Sequence, residues 1–147
     1  MITKLEGLQK HLLDHSIKPT FIRLLILEFL NRKDFHPTAE EIYKGILKKI
    51  PTVSRTSVYN TSNLFSKKGL LLPLFLGKET RFEFKKDNHH HFLCEKCGKL
   101  IDLEIHCEYF NAGQLGGHEI KELYSCFKGV CKQCLQEIGF CRENEGL

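Results

Sequence analysis

The sequence predicts an α+β protein in two parts: a basic N-terminal domain of helices closed by a β-hairpin, and a smaller C-terminal domain organised around cysteine and histidine. Three observations point there. The charge divides: residues 1–86 hold 16 Lys and Arg against 8 Asp and Glu, net +8, while residues 87–147 hold 6 against 10, net −4. Helix-start signals fill the first half and give way to short alternating stretches. All seven cysteines and five of the eight histidines lie in the second half. We place the first domain at 1–84, a polar hinge at 85–88 and the second domain at 89–147.

The elements of the first domain follow in order. Leu5, Leu8 and Leu12 share one helical face, predicting a helix over 5–13. Pro19 ends that stretch, and Thr20 is placed to cap a second helix through Leu30 whose all-round apolar character predicts burial. Thr38-Ala39-Glu40-Glu41 reads as a capping box for a third helix, 39–49, with Ile42 and Ile46 inward. Ser54 can cap a fourth, 55–68, with Gly69 just past its end. Stretches 70–76 and 80–85 flank Gly77-Lys78-Glu79 as a hairpin.

Helices followed by a hairpin in a basic domain suggest a winged helix-turn-helix, whose last helix enters the major groove of double-stranded DNA. The fourth helix starts with Ser54, Arg55 and Thr56 and continues to Tyr59 and Asn60. Arginine suits guanine and asparagine suits adenine. Alone, these residues make an ordinary solvated helix end; the +8 charge turns the reading towards DNA. Lys18 and Arg23, beside the second helix start, are candidate phosphate or minor-groove contacts.

Composition bounds the remaining classes. The chain is 41% hydrophobic and 27% charged, as soluble globular proteins are. No apolar run reaches the roughly 18 residues of a bilayer span, and the Met-Ile-Thr-Lys start lacks a secretory pattern. We expect a cytoplasmic protein with no membrane association, in which seven cysteines do not form a disulfide framework.

Cys94-Glu95-Lys96-Cys97 and Cys131-Lys132-Gln133-Cys134 are two C-x-x-C pairs 33 residues apart. Each pair places two thiolates on a tight knuckle, and together they offer the tetrahedral sulfur set that structural Zn2+ accepts. A redox C-x-x-C is the rival, but it occurs once, at a helix start. A closed four-sulfur shell has no open position, so this metal would hold the fold and catalyse nothing. Cys107, Cys126 and Cys141 lie outside the frame and read as incidental thiols.

A second donor set surrounds Asn88-His89-His90-His91. On a strand, His89 and His91 project from one face and His90 from the other. Glu83 precedes the hinge, and Asp102 follows the first cysteine pair. This nitrogen and oxygen chemistry suits Fe2+, Mn2+ or Zn2+. His36 stands apart, and spacing alone does not bring it to the others. Two other classes share these features: a zinc hydrolase with an open coordination position, and a zinc-stabilised interaction module that does not bind DNA.

Taken together, the stretches His36-Pro37-Thr38-Ala39-Glu40-Glu41-Ile42-Tyr43, Ser57-Val58-Tyr59-Asn60, Arg81-Phe82-Glu83-Phe84 and His89 through Lys99 resemble, in order, the ferric uptake regulator superfamily over nearly the whole chain. The resemblance implies a homodimeric, metal-dependent transcription repressor acting on a palindromic operator, with a C-terminal α/β dimerisation domain. It implies structural zinc on Cys94, Cys97, Cys131 and Cys134, and a regulatory metal on His36, Glu83, His89, His91 and Asp102. Asn60 is similar to the peroxide-responsive branch, in which Fe2+ or Mn2+ regulates. Glu83 is more typical of iron sensors, leaving an iron or zinc uptake regulator as the alternative. His90, Glu108 and His118 are the donors available for a third metal.

Overall fold

A computed structural model of the chain describes residues 5–32, 35–84, 89–105, 113–121, 123 and 125–144, the last six by backbone alone. The chain divides into two compact units, Met1–Lys85 and Lys86–Leu147.

The first unit is a helical core with a hairpin attached. Of helices α1 (Leu5–Asp14), α2 (Phe21–Leu30), α3 (Ala39–Leu47) and α4 (Arg55–Lys67), the last three begin where Thr20, Thr38 and Ser54 place them. Thr20 accepts a hydrogen bond from the Arg23 amide, and Ser54 accepts one from that of Ser57. The Thr38 capping box is complete in both directions, with Glu41 accepting from the Thr38 amide at 2.8 Å. Gly69 follows α4 at φ +73°, the left-handed conformation that glycine adopts without a Cβ penalty.

One core results, with Leu12, Ile26, Leu27, Ile42, Ile46, Val58 and Phe65 fully buried. Helix α2 is less enclosed than its apolar sequence predicts. Only Ile26, Leu27 and Leu30 are buried, while Phe21 is 70% exposed. Its remaining apolar surface forms a rim, where Phe29 meets Phe35 edge-on and Arg32 lies over both rings. Helix α3 ends at Leu47, two residues earlier than predicted. Ile50, held out of helical conformation by Pro51, closes a turn through its amide to the Ile46 carbonyl.

The hairpin is also shorter than predicted. Strands β1 (Leu71–Leu74) and β2 (Arg81–Phe84) pair antiparallel from Leu71↔Phe84 to Leu74↔Arg81. The connection is residues 75–80, with Gly77 at φ +96°. Beyond Leu74 the chain leaves the core, and Phe75 is 78% exposed. The other edge of β2 is occupied. The Phe82 amide donates to the Pro37 carbonyl at 2.9 Å, Thr38 bridges Arg81, and Arg81 Nη1 donates to the His36 carbonyl at 2.8 Å. These bonds pin the segment leading into α3 along the strand that carries Glu83.

The second unit is built on a three-stranded sheet in the order β4-β3-β7, from β3 (His90–Cys94), β4 (Leu100–Leu103) and β7 (Cys126–Gly129). Strand β3 is central, antiparallel to β4 and parallel to β7. A small hairpin, β5 (Gln114–Leu115) with β6 (His118–Glu119), lies between β4 and β7 in sequence, and α5 (Lys132–Asn144) follows β7. The described core of this unit centres on Cys94, Cys131 and Cys134, with Phe92, Ile101 and Val130 packed against them. Among the described residues, no helix is long and apolar enough to cross a membrane.

Replacing Ile42 by alanine should cost the first unit about 2–5 kcal/mol, because a fully enclosed side chain leaves a cavity. Chemical denaturation followed by helical circular dichroism checks this, and the zinc content of the protein should be unchanged.

Candidate metal centres and nucleic-acid interface

The four thiols predicted to form one set do so. Their sulfur atoms lie within 4.8 Å of one another. Cys94 Sγ is 3.9 Å from Cys134 Sγ, and Cys97 Sγ is 3.9 Å from Cys131 Sγ. A disulfide would need about 2 Å. Four sulfurs at about 2.3 Å from a tetrahedral Zn2+ stand about 3.8 Å apart, so the donor set fits the ion in both chemistry and spacing.

Local structure explains the convergence. Cys94 ends β3, and the chain turns back through Gly98, at φ +71°, whose amide donates to the Cys94 carbonyl at 2.8 Å. Parallel pairing of β7 with β3 delivers Cys131 to the same end of the sheet. The second pair differs from the predicted knuckle, because Cys134 lies in the first turn of α5, where three-residue spacing returns it to the face of Cys131. The Cys131 and Cys97 amides point at Cys94 Sγ from 3.3 and 3.5 Å, and these donors hold its thiol down to about 6. Burial, then the neighbouring sulfurs, pushes Cys134 up to about 12. A cation is what allows four such groups to be thiolates together. Cys126 is a separate half-buried thiol on β7, while Cys107 and the side chain of Cys141 lie outside the described residues.

The nitrogen and oxygen donors fall into two sets, one on each unit. In the second unit His91 pairs in register with Asp102 across β3 and β4, and His89 precedes it by two residues on the same face. His89 Nε2 and His91 Nε2 each stand 3.5 Å from Asp102 Oδ1, and the two rings lie 4.5 Å apart. That separation is long for a hydrogen bond. It is close to the roughly 3.0 to 3.4 Å between atoms that share a metal at about 2.1 Å. In the first unit His36 Nε2 lies 3.1 Å from Glu83 Oε2, and both residues are buried. The bonds from β2 to the His36 and Pro37 carbonyls create this approach. Neither set alone provides more than three donors.

His90 points to the opposite face of β3, as alternation requires, and its Nδ1 meets the Ser125 hydroxyl. His118 is exposed on β6, and Glu108 lies outside the described residues. Among the described residues, neither His90 nor His118 joins a group of three or more metal-type donors.

At the start of α4, Ser54, Arg55, Thr56, Tyr59 and Asn60 are all exposed, as is Lys18 near α2. Arg23 is half-buried, and its Nη1 donates to the Lys18 carbonyl at 2.8 Å, holding the loop before α2. The Ser54 hydroxyl closes the helix end. Arg55 is held by residues that sequence reasoning did not single out. Its Nε and Nη2 donate to the two oxygens of Glu40 at 3.0 and 2.8 Å, and its guanidinium lies 4.7 Å from the centre of the Tyr43 ring. Tyr59 donates to Glu40 Oε2 at 3.2 Å. Local spacing carries no signal for partners 15 and 19 residues apart.

Residues 14–121 match the ferric uptake regulator family. The chain is 34% identical over 134 residues to the peroxide-responsive repressor PerR of Staphylococcus epidermidis, covering 83% of this chain and 84% of that protein. It is 35% identical over 132 residues to the peroxide operon regulator of Bacillus subtilis, covering 81% and 88%. Among solved structures, the Helicobacter pylori ferric uptake regulator Fur aligns with a TM-score of 0.74 at 24% identity, covering 91% of this chain and 95% of that one. The Vibrio cholerae Fur aligns with a TM-score of 0.66 at 26% identity, covering 84% and 98%. A winged helix followed by an α/β domain with a four-thiol site is the architecture of a class of regulators. This chain belongs to the ferric uptake regulator family.

Replacing Cys94 or Cys134 by serine should remove the tightly held zinc and unfold the second unit, whereas Cys126→Ser should keep both. Metal analysis of the purified variants, with circular dichroism before and after chelation, reads the difference.

Proposed function

We propose that this protein is a metal-dependent, DNA-binding transcription repressor that responds to peroxide. It would act as a homodimer on a palindromic operator, with Zn2+ on Cys94, Cys97, Cys131 and Cys134 as a structural ion. The observation that carries the reading is the shared approach of His89 and His91 to one oxygen of Asp102, in a chain whose DNA-reading unit presents His36 and Glu83 as a second partial donor set. A regulatory Fe2+ or Mn2+ on all five residues would tie the unit that bears α4 to the unit that bears the zinc. In a two-fold dimer, fixing both ties sets the spacing of two recognition helices to match two half-sites. The metal biases DNA affinity only through its preference for the tied arrangement.

The peroxide assignment is supported by the relatives at 34–35% identity, both peroxide regulators by name, and by Asn60 after the recognition-helix tyrosine. Bound Fe2+ would supply the one-electron chemistry that activates hydrogen peroxide. We propose His36 and His91 as the ligands that peroxide oxidises. Loss of a donor nitrogen on either would leave the unit-to-unit tie incomplete.

Two measurements test this reading. His36→Ala and His91→Ala should abolish metal-dependent binding to duplex DNA, with zinc content unchanged. Variants that bind at wild-type strength with and without Mn2+ would remove the tie. Mass spectrometry after dilute peroxide should show one added oxygen on His36 or His91 in the Fe2+ form and none in the Mn2+ form. An unmodified Fe2+ protein would turn the assignment to a metal uptake regulator, the direction in which Glu83 points.

A further inference from the structure

Arg55 occupies the first position of α4, at the helix end that meets base edges in this fold class. An exposed arginine at such a place normally samples many rotamers and acts as a diffuse positive charge. Here its donors and one face are engaged by neighbours. Its Nε and Nη2 form a two-pronged bond to Glu40, one face of its guanidinium rests on Tyr43, and the Glu40 carboxylate is itself held by the Tyr59 hydroxyl. The bonds from Arg55, then Tyr59, hold the Glu40 carboxyl down to about 2, so the pair stays ionised wherever DNA is bound.

The geometry of a guanidinium divides its donors. The edge formed by Nε and Nη2 is committed to Glu40, which leaves the edge formed by Nη1 and the second hydrogen of Nη2. That edge presents two parallel N–H groups in one plane, the arrangement that matches O6 and N7 of guanine. The side chain is 61% exposed, so this edge is not enclosed by the protein. The Glu40 charge opposes the attraction that Arg55 would have for phosphate. A neutralised, immobilised fork is poorly suited to non-specific backbone binding and well suited to reading one base.

We propose that Glu40 is a positioning residue for sequence readout: it fixes Arg55 as a bidentate reader of one guanine in each half-site and suppresses its contact with phosphates. The proposal rests on the DNA-binding reading above and goes beyond it by assigning the base, the edge of the side chain that reads it, and the residue on another helix that aims it.

The test uses the full-length, Mn2+-loaded protein to select duplexes from a randomised pool. Wild-type, Glu40→Gln, Arg55→Ala and the double variant are then compared on a selected duplex and on versions with each G·C pair changed to A·T. One symmetric G·C pair should cost the wild type about tenfold when changed. Glu40→Gln and Arg55→Ala should both flatten the preference at that same pair and leave the other positions intact. Glu40→Gln alone should also bind unselected duplex more tightly, because it releases a cation. In the Arg55→Ala background, Glu40→Gln should have no further effect on discrimination. A guanine preference that survives Glu40→Gln overturns the proposal, as does an equal loss from Glu40→Gln with Arg55 absent, which would mark a role only in stabilising α3. Failure of the wild type to select any duplex with metal would overturn the DNA-binding reading itself.

Discussion

Four sulfur atoms gathered at one end of a small sheet set the terms for the second unit. Two of the sulfur pairs stand 3.9 Å apart, and the described core around them is thin: Phe92, Ile101 and Val130 are only partly buried. Small domains with thin cores are commonly held by a staple. A tetrahedral cation provides one, because it converts four groups that repel as thiolates into the strongest contact in the unit. The parallel β3 and β7 pairing, the Gly98 turn and the start of α5 all meet at those sulfurs. The first unit has no such requirement, since seven fully enclosed apolar side chains on α1 to α4 account for its cohesion.

Much of this was legible in the sequence for identifiable reasons. Helix starts were readable because Thr20, Thr38 and Ser54 act through amides three residues away, so the signal and its consequence are close in the chain. The cysteine set was readable because C-x-x-C spacing has few other uses when it occurs twice. The faces of His89, His90 and His91 followed from strand alternation. Where one residue's environment is decided by distant chain, the reading weakened. Helix α2 looked enclosed because its residues are apolar, but burial depends on what packs against it, and Phe21 has little there. The hairpin looked longer because nothing local shows that the core ends at Leu74. The clamp on Arg55 was invisible, since Glu40 serves α3 by position and Arg55 by tertiary approach.

Strand β2 links several of these features. Arg81 and Glu83 alternate with Phe82 and Phe84, which face or border the core, while the edge of the strand away from β1 holds the chain at Pro37 and Thr38. Arg81 also reaches Glu41, whose carboxylate completes the capping box of α3. Within one unit, then, a strand of four residues supplies a candidate metal ligand, fixes the backbone of another, and braces the first turn of the helix that holds Glu40. The burial of Glu83 in such a short strand has its counterpart in the adjacent His36.

Strand β3 carries residues of both donor sets. His91 and Cys94 are three residues apart on it, about 10 Å of extended chain, and its two neighbours carry Asp102 on one side and the approach to Cys131 on the other. The strand that ends in Cys94 is therefore the same strand whose register sets His91 opposite Asp102. A change of register in β3 would therefore reach both donor sets at once. One residue of slippage would turn His91 away from Asp102 and, in the same movement, carry Cys94 about 3.3 Å along the sheet from its partners.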